Sequence, residues 1–127
     1  MKKLLAAAFF LFLLLVAYWA DTDSMPKILG AMLEIPYGDK IGHFVLYGIL
    51  AYLLTVAMPF RHVKILRWSL PLGLVLAAGF ASIEEISQLF FANRTASFID
   101  LFSGYSGILA AVILIPCMRG ACAPISR

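Results

Sequence analysis

Residues 4–20 read LLAAAFFLFLLLVAYWA, an apolar run without a charged or amide side chain. A helix needs roughly 17–25 residues to cross the hydrocarbon of a bilayer, so this run is long enough to span. Three further stretches have a similar length, about 41–58, 68–92 and 98–118, and each carries polar residues mostly towards one end. Over 127 residues, 63% are hydrophobic and 13% charged, and the mean hydropathy is +0.96. Soluble domains do not reach such values. The ten-residue alternating segments of a transmembrane barrel are not visible. The sequence therefore predicts an all-α integral membrane protein with four transmembrane helices in a compact bundle.

The helix breakers agree with these limits. Pro59 follows the second stretch, Pro116 falls in the last turn of the fourth, and Pro71 sits in the first turn of the third. A missing backbone donor costs least in a first turn. With no internal repeat, low-complexity tract or linker, residues 1–127 read as a single membrane domain. The net charge of +3 is scattered. No basic cluster is interleaved with aromatics and no glycine-rich phosphate loop appears, so nucleic acid is not an expected partner.

Charge position sets the expected orientation. Lys2 and Lys3 precede the first stretch, Arg61, His62, Lys64 and Arg67 lie between the second and third, and Arg119 and Arg127 follow the fourth. The segment 21–40 carries Asp21, Asp23, Glu34 and Asp39 against Lys27 and Lys40. The positive-inside rule then puts both termini in the cytoplasm and residues 21–40 and 92–98 outside, with Arg94 the one exception. A cleaved signal peptide would need a small residue at Tyr18 or Leu15, so the first stretch reads as an uncleaved anchor. Cys117 and Cys122 then face a reducing compartment and lack the spacing of a zinc site.

In this orientation the polar residues of three helices share one end. Asp39 and Lys40 begin the second stretch, with His43 and Tyr47 one and two turns deeper. Glu84, Glu85 and Gln88 come near the outer end of the third, Glu85 roughly 10 Å below it. Arg94, Ser97 and Asp100 form the outer turn and the start of the fourth. Ionisable groups at such depth cost roughly 2.5–3.5 kcal/mol each at a helix centre, and persist when paired or when they line a wet cavity. Asp39 and Lys40 can also serve as a cap and interface anchor, Asp100 as a cap paired with Arg94, and His43 as a hydrogen-bonded bundle residue. Glu84 and Glu85 point about 100° apart on a helix, so they cannot share a role. Glu85 lies on a stripe with Ala78, Ala81, Ser82, Gln88 and Ala92, small or polar, which predicts that it lines the pocket. Glu84 lies with Phe80 and Phe91, which predicts an edge position. A stripe of Asp100, Ser103, Gly104, Gly107 and Ala111 in the fourth stretch is the expected partner surface.

The same residues carry a family resemblance. "DKIGHFVLYGILAYLL" and "EEISQLFFANRTASFIDLFSGYSG" resemble the VanZ-like family of small bacterial membrane proteins, through Asp39, Lys40, His43, Phe44 and Tyr47, then Glu85, Gln88, Arg94, Ser97, Asp100 and Gly107. Gly104 stands where that family usually has asparagine. The resemblance implies a fold, a place in the envelope of the bacterial cytoplasmic membrane and, through the member that named the family, a link to teicoplanin resistance. It implies no reaction.

Three functions follow from the cluster as expectations. In the first, His43, Arg94 and Lys40 hold the anionic head of an envelope lipid or a lipid-linked cell-wall precursor. In the second, an enzyme acts on such a lipid, with Glu85 as general acid or base, His43 its partner and Arg94 the anion stabiliser. In the third, the chain is a structural subunit of an envelope complex or a homo-oligomer. There is no G-x-S-x-G or H-E-x-x-H motif. A metal set of His43 with Glu85, Asp39 and Asp100 draws on three helices, so neither metal nor cofactor is expected.

Overall fold

The computed structural model describes residues 1–59 and 61–118. Among them lie α1 (Lys2–Asp21), α2 (Lys27–Glu34), α3 (Gly38–Ala57), β1 (His62–Ile65), β2 (Trp68–Pro71), α4 (Leu72–Ser87) and α5 (Phe98–Met118). Four helical stretches, in α1, α3, α4 with its extension to Phe90, and α5, are long and apolar enough to cross a membrane. The predicted all-α membrane class is therefore the observed one. The expectations for Cys117, Cys122, Arg119 and Arg127 fall on side chains outside the described residues.

Two local elements differ from the sequence reading. Residues 21–40 contain the short helix α2, too short to span, with Ile28 and Met32 exposed. Its apolar residues recur at helical spacing, which is the signal for it. The third stretch does not begin at Trp68. Residues 62–71 form an antiparallel hairpin, with His62 opposite Pro71 and Ile65 opposite Trp68. Its tight turn holds Leu66 at φ 55°, a conformation usually reserved for glycine or asparagine. Pro71, which cannot donate to a helix, ends β2 and caps α4.

The core sits around α3. Leu50 and Ala51 are fully or almost fully buried, with Leu13 from α1, Ala77 and Ala81 from α4, and Ile108 and Ala111 from α5 packed about them. The outside is equally apolar: Leu4, Leu11, Ile83, Ile86, Leu109 and Ile113 are exposed. Such a surface is stable only against acyl chains, while the helices satisfy their own backbone groups.

The small-residue stripe of α5 is buried at Gly104, Gly107 and Ala111, but it packs chiefly on α3, a correction to the expected pairing with α4. A Cβ on Gly48 would stand 3.0 Å from the Gly107 carbonyl oxygen, and one on Gly107 would overlap the Phe44 carbonyl. Two facing glycines bring these backbones into contact, as small residues do in membrane helix pairs. The fit sets α5 against the first half of α3 and so delivers Asp100 to Lys40.

Candidate functional site

At one end of the bundle α1 stops, α3 begins, α4 ends and α5 begins. Each terminus supplies polar groups for a local reason. Asp39 lies in the first turn of α3 and Asp100 in the first turn of α5, where a carboxylate complements the helix dipole. The Ser97 carbonyl accepts the first hydrogen bond of α5, from Leu101. A single turn of 3₁₀ helix, Gln88–Phe90, continues α4 and holds Gln88 inward, where it is buried.

Glu84 is the hub of the site. Its Oε1 accepts hydrogen bonds from Gln88 Nε2 at 2.8 Å and Arg94 Nη2 at 3.1 Å. Its Oε2 accepts from the Tyr47 hydroxyl at 3.2 Å and lies 3.6 Å from His43 Nε2. The other nitrogen of His43, Nδ1, lies 2.8 Å from the Asp39 carbonyl oxygen. A carbonyl only accepts, so Nδ1 carries a proton.

Glu85 is buried one helical step away, and its Oε1 accepts the backbone N–H of Ser97. The expectation that Glu85 lines the pocket and Glu84 stands at its edge is therefore reversed. Phe80 misled that reading. Its ring packs on Tyr47 and on Phe10, centroids 6.0 and 4.9 Å away, so the bulky side of α4 faces α1 and α3 rather than lipid. Gln88, expected to act with Glu85, instead donates to Glu84.

The charge pairs also differ. Arg94 pairs with Glu84, and its Nη1 lies 3.8 Å from Asp21 Oδ1. Asp100 Oδ1 lies 3.2 Å from Lys40 Nζ, which also reaches Asp39 Oδ2 at 3.0 Å. The expected Arg94–Asp100 pair is absent among the described residues, because the α3–α5 contact gives Asp100 to Lys40 instead. Asp21 was missed. The signal for it was available, an acid ending an apolar anchor at the polar end.

These groups border a cavity of about 440 Å³, within the range of small-ligand pockets. Leu13, Val16, Trp19, Leu46 and Phe80 form apolar wall, while Asp39, His43, Tyr47, Glu84, Gln88, Arg94 and Asp100 supply the polar part. Asn93 and Thr95 join them from the loop before α5. Of the sequence-predicted site residues, Lys40, Glu85 and Ser97 are not in this lining; Lys40 holds Asp39 and Asp100 of it, while Glu85 accepts from Ser97. A cavity with one apolar side and one charged side suits an amphiphile.

No curated protein and no solved structure matches the chain. The family model of VanZ/LLP1 matches residues 4–119, which takes in all four membrane helices and the whole polar cluster. The chain is thus a multi-pass membrane protein and belongs to the VanZ/LLP1 family.

Proposed function

We propose that the protein sits in the bacterial cytoplasmic membrane with the polar cluster in the outer leaflet, and there binds an anionic envelope lipid or a lipid-linked cell-wall intermediate. The observation that carries this reading is the two-sided cavity, with acyl-compatible residues of α1 and α3 beside the Glu84–Arg94–His43 group. Arg94 is the anion contact. One arm is held by Glu84, and the other meets Asp21 only at 3.8 Å, leaving donors for a phosphate. Lys40 is committed to two carboxylates, so its expected role in the head contact passes to positioning Asp39 and Asp100. Teicoplanin susceptibility is the physiological property that the family resemblance adds.

Native mass spectrometry of the protein extracted with its lipids tests the binding. The parent should retain a polyprenyl-phosphate or anionic phospholipid species. Arg94→Lys keeps the charge that Glu84 faces but loses the two-pronged grip on phosphate, and should retain about tenfold less. Bare protein, or zwitterionic lipid alone, would overturn the reading.

Orientation has its own test, motivated by the loop charges. In a background without Cys117 and Cys122, a cysteine replacing the exposed Asn93 should label with a membrane-impermeant reagent in intact cells. One replacing the exposed His62 in the hairpin should not. The opposite pattern would move the cluster to the inner leaflet.

A second reading, an integral-membrane enzyme acting on such a lipid, is supported by the 3.6 Å approach of His43 Nε2 to Glu84 Oε2. In it Glu84 takes the acid–base part expected of Glu85. Turnover of a retained lipid on incubation, lost in Glu84→Gln, would select it.

A further inference from the structure

We infer that His43, Glu84 and Glu85 form a binding site for a divalent transition-metal ion of the zinc class. Each residue offers one ligand atom, and these atoms all lie within 4.8 Å of one another. A tetrahedral ion bound at 2.0–2.2 Å holds its ligands roughly 3.4 Å apart. His43 Nε2 and Glu84 Oε2 already stand 3.6 Å apart, close to that spacing.

The direction of the lone pairs points the same way. Nδ1 of His43 spends its proton on the Asp39 carbonyl, so in a neutral ring Nε2 presents a lone pair to a carboxylate. Two acceptors facing at that distance are reconciled by a positive charge, either a proton on Nε2 or a metal ion in its place. Glu85 is 6% exposed, its Oε1 is taken by the Ser97 amide, and Oε2 is buried with no partner among the described residues. That oxygen is the third ligand.

The surrounding bonds are those a metal site requires. A ligating histidine commonly donates its other N–H to a backbone carbonyl, and ligating carboxylates are themselves hydrogen-bonded. Here Nδ1 meets the Asp39 carbonyl, while Tyr47, Gln88 and Arg94 all donate to Glu84. Charge agrees as well. At this end Asp21, Asp39, Glu84, Glu85 and Asp100 outnumber Lys40 and Arg94, although the whole chain is basic. Of these acids Glu85 and Asp100 are buried, and carboxylates so placed are stabilised by a further cation.

One imidazole with two carboxylates suits zinc, or manganese and iron(II), better than magnesium or calcium. Three protein ligands leave a fourth position open. His43 and Glu84 both line the cavity, so that position faces it. Resting on the lipid reading, the ligand for it is a phosphate oxygen of the lipid head, for which the ion supplies positive charge that Arg94 alone does not.

The test uses the full chain in nanodiscs, freed of metal with a chelator and dialysed against Zn²⁺. About one zinc per chain should bind, with His43→Gln and Glu85→Gln each weakening it at least tenfold. Glu34→Gln, at an exposed position in α2, should bind as the parent does. X-ray absorption of the zinc-loaded parent, which needs no variant to fold, should show only nitrogen and oxygen ligands near 2.0–2.2 Å. Failure of the parent to bind zinc, parent-like binding by both variants, or a sulfur shell at about 2.3 Å, which would assign the ion to cysteine, overturns the site. Tighter zinc binding in phosphatidylcholine discs containing phosphatidic acid than in phosphatidylcholine alone supports the open position. Equal binding in both refutes only the lipid arm and leaves the metal site standing.

Discussion

Gly107→Ala should cost the protein at least about 3 kcal/mol, at or beyond the upper end of ordinary overpacking. The added Cβ would overlap the Phe44 carbonyl oxygen and stand 2.8 Å from the Phe44 carbonyl carbon. Both are backbone atoms of α3, so no side-chain rotation relieves the clash and the two helices must separate. Separation withdraws Asp100 from Lys40 and exposes the core around Leu50. The expected result is a large loss of monodisperse protein after detergent extraction and a lower unfolding temperature. Gly48→Ala should be milder, because its Cβ would meet the Gly107 carbonyl oxygen at 3.0 Å. Gly79→Ala is the control of opposite sign. Nothing lies within 4 Å of its Cβ, so alanine should be neutral or stabilise α4 by up to about 1 kcal/mol. A Gly107→Ala protein as stable as the parent would show that the α3–α5 contact is not as close as described.

Arg94→Ala is expected to be nearly as damaging. The Arg94 and Glu84 side chains are 17% and 11% exposed, so removing the guanidinium leaves a carboxylate in a poorly solvated place. Breaking a buried pair in this way costs about 3–5 kcal/mol, although the Gln88, Tyr47 and His43 contacts to Glu84 keep this case near the lower figure. Adding Glu84→Gln removes the stranded charge, and the double variant should recover about 1–3 kcal/mol relative to the sum of the singles. The same cycle with Asp100→Asn should show a distinctly smaller coupling, since Asp100 contacts Lys40 instead. Thermal unfolding of the set in one detergent measures both. A larger coupling for Asp100 than for Glu84 would mean that the pairing across the α4–α5 loop is other than described.

The membrane helices were legible because hydropathy and length are properties of each segment alone. Depth was legible for the same reason: 1.5 Å per residue from a known end brings His43, Glu85 and Asp100 to one level. Partner choice was not, because it depends on which faces two helices turn towards each other. Asp100 had Arg94 nearby in sequence and Lys40 far away, and the Gly48–Gly107 contact decided for the distant one. The size of their neighbours separates Glu84 from Glu85 only if aromatics face lipid. Phe80 packs inward on Phe10 and Tyr47, so size was no guide to side at that position. The hairpin at 62–71 escaped because its turn carries leucine, not glycine or asparagine, at the positive-φ position.

Gly104, in the place of the asparagine usual in the family, ties three helices into one lever. A Cβ there would press on the Tyr47 ring, 3.1 Å from Cδ2. The hydroxyl at the far end of that ring is the donor to Glu84. A change of size on α5 is thus transmitted through a rigid aromatic on α3 to a carboxylate on α4, with the ring as the arm. Positions 104 and 47 cannot be edited independently. Grafting the missing amide onto this chain calls for a compensating cut at the tyrosine, or the group at the centre of the site is moved from two helices away.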